Sequence, residues 1–323
     1  MFRELPRFVG ESWHRTDELM ARYLGSDIPL LDKTNRTLVG NTGKKLRPML
    51  CLLSALAAGG RINGDTEHFA AAMELLHNAT LLHDDVVDAS PLRRGKPTVY
   101  SLLGGSASVL IGDFWLVKSL ECILDSERET ERVLRLFSWT LSCLSAGEVL
   151  QLQMALSGET TEKEYLRIIH DKTAALFEVA ALSGAISAGA PEPVETALRE
   201  YTRILGLAFQ IRDDILDYTA GDELGKPVGH DLLEQKITLP LLEALTSATE
   251  EEEKEVRRRV TAIADHPEYR KEIVAFVTVK EGVKRAKQRL HGFLTDAKAA
   301  LAPLPESESK QWLVKLADSL EML

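Results

Sequence analysis

Two stretches of this sequence place three carboxylates each among apolar neighbours. Asp84, Asp85 and Asp88 form the pattern D-D-x-x-D, and the pattern returns at Asp213, Asp214 and Asp217. The first and last aspartates of each cluster are four residues apart, so they project from one face of a helix. Leu81, Leu82, Val86 and Val87 surround the first cluster, and Phe209, Ile211, Ile215 and Leu216 the second. Carboxylates this close do not all stay ionised alone. A hard divalent cation resolves the conflict, because Mg²⁺ takes oxygen ligands, typically one or two carboxylates plus water and substrate phosphate oxygens. One such cluster alone is equally well read as surface acids on an amphipathic helix, but two copies in apolar context argue against that. A calcium loop needs alternating ligands and a turn glycine, not i, i+4 spacing on a helix. The expectation is two helices that hold several Mg²⁺ ions between them, with a diphosphate completing the coordination.

The basic residues fit the same chemistry. Lys44 and Arg47 lie in "GKKLRP", before an apolar helix, and Arg93 and Arg94 follow the first aspartate cluster. Lys172 sits inside the otherwise apolar "HDKTAALF", Lys226 follows the second cluster, and Lys236 lies in "EQKITLP". Cations at these points of an acidic chain suit a phosphorylated ligand, since arginine forks match phosphate oxygens. His77 is seven residues before Asp84, on roughly the same helix face, and is read as ligand-binding.

The elements that must position these groups are helices. Apolar residues recur at three- and four-residue steps in "HFAAAMELLHNATLLHDDVVD", "ASVLIGDFWLVKSLECIL", "ERVLRLFSWTLSCLSAGEVLQLQMAL", "EKEYLRIIHDKTAALFEVAALSGAIS" and "VETALREYTRILGLAFQIRDDILDY". Breakers separate them at "RRGKP", "LGGS", "GAPEP" and "AGDELGKPVGHD", and no hairpin pattern competes. The pattern predicts an all-α chain of ten or more helices, with residues 1–323 as a single domain. In "TSATEEEEKEVRRRV", Thr249 caps a solvated helix, Glu252 completes a capping box, and the acidic start and basic end suit the helix dipole.

A net charge of −10 argues against a nucleic-acid surface. No apolar run is expected to reach the roughly 18–20 residues of a membrane span, and "MFRELPRFVGESWH" lacks a signal-peptide core, so a cytoplasmic location is expected. Cys51, Cys122 and Cys143 have no metal-ligand spacing and are read as buried free thiols.

The sequence resembles the trans-isoprenyl diphosphate synthases, or polyprenyl synthetases. The segments "GKKLRP", "ELLHNATLLHDDVVD", "RRGKPT", "GEVLQL", "DKTAALF" and "FQIRDDILDYTAGDELGKPVGHDLLEQKITLP" stand in the family's order. The resemblance implies mostly antiparallel helices around a deep central cavity, usually in a homodimer. It also implies head-to-tail (1′-4) condensation of an allylic diphosphate with isopentenyl diphosphate, assisted by Mg²⁺, three ions in all with the bound diphosphate. Asp84, Asp88 and Asp213 would ligate the metal, with Asp85, Asp214 and Asp217 supporting. Arg93, Lys172, Gln210 and Lys226 would hold the allylic diphosphate, and Thr173 would lie near the reacting carbons. Lys44, Arg47, His77 and Arg94 would hold the diphosphate of isopentenyl diphosphate. Thr42 replaces the first glycine of the family's usual G-G-K-x-x-R-P.

In this family the residues one turn before the first aspartate line the upper wall of a product tunnel, and bulky aromatics there stop growth early. Here they are Ala79 and Thr80, both small, so a product longer than C20 is expected, which could partition into a membrane. Helical steps back from Gln151 reach Phe137, about 21 Å along the axis, a candidate tunnel floor. The alternatives are a medium-chain farnesyl or geranylgeranyl diphosphate synthase, a terpene cyclase, or a non-catalytic subunit of a heteromeric synthase. Such subunits typically lose motif aspartates, whereas this chain keeps both sets.

Overall fold

The computed structural model describes residues 4–40, 43–219 and 228–321, and helices carry nearly all of its regular structure. The all-α expectation holds. One local feature departs from it. "RRGKP" forms a short antiparallel ladder, Leu92–Arg93 against Lys96–Pro97, rather than a plain break. Arg94 and Gly95 both take positive φ, 52° and 74°. That backbone suits a two-residue hairpin turn, whose twist matches the strands it joins.

The chain divides into two compact units. The first comprises Met1–Ser138, Val179–Arg199 and Pro303–Leu313. Its centre is the helix Gly64–Val87, which ends in the first aspartate cluster. This helix opens with a capping box: Thr66 N–H donates to the Asn63 side chain at 2.9 Å, and Asn63 N–H donates back to Thr66 Oγ1 at 3.2 Å. Phe69, Ala70, Ala71, Ala72, Met73, Leu75 and Leu76 are fully buried, so the helix is enclosed on all sides over this stretch. Its small residues admit neighbours closely. Helix Gly105–Leu124 packs so near that a Cβ on Gly112 would sit 2.4 Å from His83 Nε2 and 3.3 Å from the Ala79 carbonyl oxygen. Ser108 Oγ donates to the Leu82 carbonyl at 2.8 Å across the same contact.

The second unit comprises Trp139–Glu178, Glu200–Ala302 and Val314–Leu323. Here the helix Glu162–Ile169 runs into a single π-helical turn, His170–Ala174. The helix Glu192–Thr219, which carries the second aspartate cluster, passes beside that turn. A Cβ on Gly206 would lie 2.5 Å from Ala174 Cα, so only glycine permits the approach. Helix Glu250–Thr261 has the expected cap, with Glu252 N–H donating to Thr249 Oγ1 and Thr249 N–H to Glu252 Oε2.

Two expectations need correction. Helix Thr130–Ser157 is long and apolar enough, by length and composition, to cross a membrane, although only 22% of its most apolar window is buried. Its polar positions are mostly uncharged Ser, Thr and Gln, which keep hydropathy high without forming an unbroken apolar run. Among the cysteines, Cys51 and Cys122 are buried but Cys143 is only half-buried, near Asp171, Glu178 and Arg167.

Candidate active site

In the first unit, Asp84 and Asp85 occupy the last turn of their helix, and Asp88 is its C-cap, with its N–H donating to the Asp84 carbonyl at 2.8 Å. A helix C-terminus carries partial negative charge, so three carboxylates there cost stability unless cations offset them. The hairpin delivers one such cation. Arg93 Nε donates to Asp85 Oδ1 at 2.7 Å. Asp85 is 4% exposed, and burial raises its pKa while Arg93 pulls it back down.

A second cationic group gathers on the same unit. Arg94, at the hairpin tip, projects its guanidinium against Gly43, where a Cβ would meet it at 2.5 Å. Burial pushes the Arg47 guanidinium down to about 10, a shift that Glu74 opposes and Arg94 reinforces. Glu74 is 3% exposed and accepts from Asn78 Nδ2 at 3.2 Å; burial raises its pKa and Arg47 holds it down. The His77 pKa lies well below the ordinary histidine range, first from burial and then from Arg47, Arg94 and Arg93. His77 is therefore a neutral ring among cations, able to donate a hydrogen bond to an anion without adding charge. Arg47, His77 and Arg94 thus come together. Lys44 is exposed beside Gly43, and its neighbour Lys45 pairs with Asp17 at 2.5 Å.

The second unit is built differently. The π-helical turn sends two consecutive residues to different helices. Lys172 Nζ lies 3.0 Å from Gln151 Oε1 and 2.5 Å from Glu148 Oε2. Thr173 Oγ1 donates to Gln210 Oε1 at 3.0 Å, and Gln210 Nε2 donates to Asp214 Oδ1 at 2.9 Å. Tyr165 Oη completes the chain, donating to Asp214 Oδ2 at 2.6 Å. Asp214 is 2% exposed, and its pKa is pushed up to about 7. Burial is the main cause, and the charges of Asp231 and Asp213 add to it while Tyr165 and Gln210 oppose it. Asp217 accepts from the backbone N–H groups of His230 and Asp231 at 3.0 and 3.2 Å. Asp231, pushed up to about 6 by burial and by Asp217, is a carboxylate of this cluster that the D-D-x-x-D pattern does not contain. Asp213 is exposed, 3.6 Å from Arg212. Lys236 pairs with Glu234 and favours the ionised form of Asp231.

Lys226 and Thr42 lie outside the described residues. Ala79 and Phe137 are buried, and Thr80 is half-buried with its hydroxyl on the His77 carbonyl at 2.8 Å. The sequence reading did not assign Glu74, Glu148, Gln151, Tyr165 or Asp231. The segment "GEVLQL" held a signal for two of them, since Glu148 and Gln151 are three apart and share a helix face. Tyr165 and Asp231 offered none.

The donor set fits a hard divalent cation, since both aspartate clusters offer only oxygen. Among the described residues no group of three or more His, Cys, Asp or Glu side chains is arranged to hold a metal ion by itself.

An all-α chain with a carboxylate cluster on each of two helices and cations on the same units fits a class of enzyme that handles diphosphates with divalent metal. The chain belongs to the polyprenyl synthetase family, whose pattern matches residues 28–277, and it is a prenyltransferase with the all-α isoprenoid synthase fold. It is 37% identical over 315 residues to the octaprenyl diphosphate synthase of Haemophilus influenzae, covering 97% of this chain and 94% of that protein. It is 39% identical over 309 residues to the all-trans-nonaprenyl-diphosphate synthase (geranyl-diphosphate specific) of Rhodobacter capsulatus, covering 95% and 94%. The crystal structure of a decaprenyl diphosphate synthase from Rhodobacter capsulatus superposes with a TM-score of 0.93 at 36% identity, covering 99% of this chain and 98% of that one. A polyprenyl synthase from Caulobacter crescentus, complexed with calcium and isoprenyl diphosphate, superposes with a TM-score of 0.89 at 34% identity, covering 99% and 98%.

Proposed function

We propose that this chain condenses isopentenyl diphosphate head-to-tail with an allylic diphosphate, farnesyl or geranylgeranyl diphosphate, to give an all-trans polyprenyl diphosphate longer than C20. The observation that carries the reading is that each aspartate cluster sits on a helix with its middle carboxyl, Asp85 or Asp214, buried, where a nearby cation relieves the cost of a charge. The full-length relatives named as octaprenyl and nonaprenyl synthases support the product class. The small residues Ala79 and Thr80 support it too.

In this reading Asp84, Asp88 and Asp213 ligate Mg²⁺, with Asp85, Asp214 and Asp217 supporting. When bound, the ions neutralise diphosphate oxygens and make diphosphate a better leaving group. Lys172, Arg93, Gln210 and Lys226 take the allylic diphosphate, with Lys236 near them. Thr173 lies beside the reacting carbons. Lys44, Arg47, His77 and Arg94 take the diphosphate of isopentenyl diphosphate, and His77 donates as a neutral ring. Breaking the allylic C–O bond leaves a carbocation, which the double bond of isopentenyl diphosphate attacks. A proton then leaves to the released diphosphate. Residues 1–323 serve as one catalytic domain in the cytoplasm, and the product partitions to the membrane. A second copy of the chain is the expected partner, supported by exposed Val109, Leu110 and Val117 on the helix Gly105–Leu124.

The test is incubation of the purified chain with farnesyl diphosphate, isopentenyl diphosphate and Mg²⁺, followed by product sizing. Products beyond C20 from the chain alone are expected. A product no longer than C15 refutes the long-chain reading, and inactivity without a partner favours the heteromeric alternative. Ala79→Phe is expected to shorten the products while condensation survives. An unchanged profile would show that other walls set the length. Phe137→Ala lengthens them if Phe137 is the floor.

A further inference from the structure

The π-helical turn that presents Lys172 and Thr173 is closed at both ends by one histidine. His170 Nδ1 lies 2.8 Å from Asp171 Oδ1, and Nε2 lies 2.8 Å from Glu178 Oε1. Glu178 is eight residues on and 2% exposed. Eight residues of regular α-helix rise about 12 Å, so a direct contact between such side chains acts as a longitudinal clasp. The wider turn between them lies inside that clasp. π-helical turns of this kind are rare and frequently lie at functional sites.

The surroundings fit a clasp. The edge of Trp139 meets the imidazole, with ring centroids 6.3 Å apart. Gly147 leaves room for the turn, because a Cβ there would lie 2.7 Å from Asp171 Cβ and 3.1 Å from Lys172 Cγ. The helix bearing Gly147 also supplies Glu148 and Gln151, the partners of Lys172. Arg167 approaches Asp171 at 3.5 Å, Arg203 contributes charge near Glu178, and the Cys143 thiol faces both acids. The two carboxylates favour the charged imidazolium.

We infer that His170 is a positioning residue for Lys172: by tying Glu178 to Asp171 across the π-helical turn, it sets the register at which Lys172 meets the allylic diphosphate. The inference rests on the reading that Lys172 binds that diphosphate. Loss of the clasp lets the turn relax toward regular helix, which rotates Lys172 away from Gln151 and Glu148. The clasp weakens as pH rises through the raised histidine pKa, because the neutral ring can donate to only one of the two acids.

The test compares His170→Phe, His170→Gln, Glu178→Gln and Lys172→Ala. The readouts are steady-state kinetics and equilibrium binding of a non-reacting allylic thiodiphosphate. His170→Phe is expected to weaken allylic binding and raise its KM by about tenfold, with the KM for isopentenyl diphosphate changed by less than about twofold. Glu178→Gln, which leaves the core volume and an acceptor intact but removes the charge, should show the same split at smaller size if His170→Phe fails to fold. His170→Gln, whose amide still donates to Glu178, should recover most of the loss and lack the alkaline rise in allylic KM expected of the wild type. If Lys172→Ala weakens allylic binding but His170→Phe and Glu178→Gln do not, the clasp is refuted and the Lys172 reading survives. If Lys172→Ala leaves allylic binding unchanged, the Lys172 reading itself fails. Equal losses for both substrates, with a matching fall in melting temperature, would make the histidine merely structural and overturn the inference.

Discussion

The two aspartate clusters share one sequence pattern and differ in how the chain compensates them. In the first, the buried middle residue Asp85 is held by a charged arginine from a hairpin, and Asp88 is an exposed helix cap. In the second, the buried middle residue Asp214 is held by two neutral donors, Tyr165 and Gln210, with Asp231 close by. A full positive charge opposes desolvation far better than a hydroxyl or an amide does. Burial raises both carboxyls; the Arg93 charge works against the rise at Asp85, while at Asp214, pushed up to about 7, only the neutral Tyr165 and Gln210 donors oppose it. The same contrast runs through the ligand groups. The first unit offers Arg47, Arg94 and neutral His77. The second offers one lysine embedded in a network of glutamine, threonine and tyrosine.

The largest expected effect tests what the clusters have in common. Asp84→Ala or Asp213→Ala should lower kcat by about a thousandfold or more, as loss of a metal ligand does. In EDTA each variant should melt at or above the wild-type temperature, since a repelling charge leaves a helix end. Near-native kcat in either variant would end the metal assignment. Next in size is the separation of the cationic groups. Arg94→Ala should raise the KM for isopentenyl diphosphate by about tenfold, leaving the allylic KM nearly unchanged. Lys172→Ala should act on the allylic substrate and on kcat instead, and equal effects on both substrates would erase the division. Arg47→Ala is a poorer probe, because it strands Glu74 as a buried carboxylate and so weakens the fold as well.

A smaller effect probes the two compensations directly. Arg93→Ala removes the cation that lowers the Asp85 pKa, and Tyr165→Phe removes a donor that lowers the Asp214 pKa. Both should move the acid limb of the kcat/KM profile to higher pH, Arg93→Ala by more. A larger shift from Tyr165→Phe would reverse the ranking of the two compensations. The smallest effect concerns stability. A carboxyl whose folded pKa exceeds its unfolded one stabilises below the unfolded value and loses that contribution as pH rises through the folded value. For Asp214 the window runs from the usual carboxylate range to about 7. In EDTA the wild type should therefore lose more stability than Asp214→Asn between pH 5 and pH 8, by about 2–4 °C in Tm. Parallel melting curves would show that Asp214 stays ionised throughout.

Much of this was legible in the residues. The aspartate spacing, the helical periodicity and the Thr249–Glu252 cap are set by contacts three or four positions apart, and the structure has them. The hairpin at Arg94 and Gly95 was not, because a positive φ at arginine has no clear local signature. The π-helical turn was not, because its apolar pattern continues the helices on either side.

The sequence by itself determined which groups share a helix face, since helical geometry carries each side chain's direction along the chain. It therefore brought Asp84 and Asp88 together, Asp213 and Asp217 together, and Lys172 beside Thr173. Only the tertiary structure decided what each group faces. Tyr165 reaches Asp214 across 49 positions, and Lys172 reaches Gln151 across 21. Burial and neighbouring charge, which set whether a carboxyl keeps its proton, depend on which distant segments exclude water around it. No local pattern carries that information.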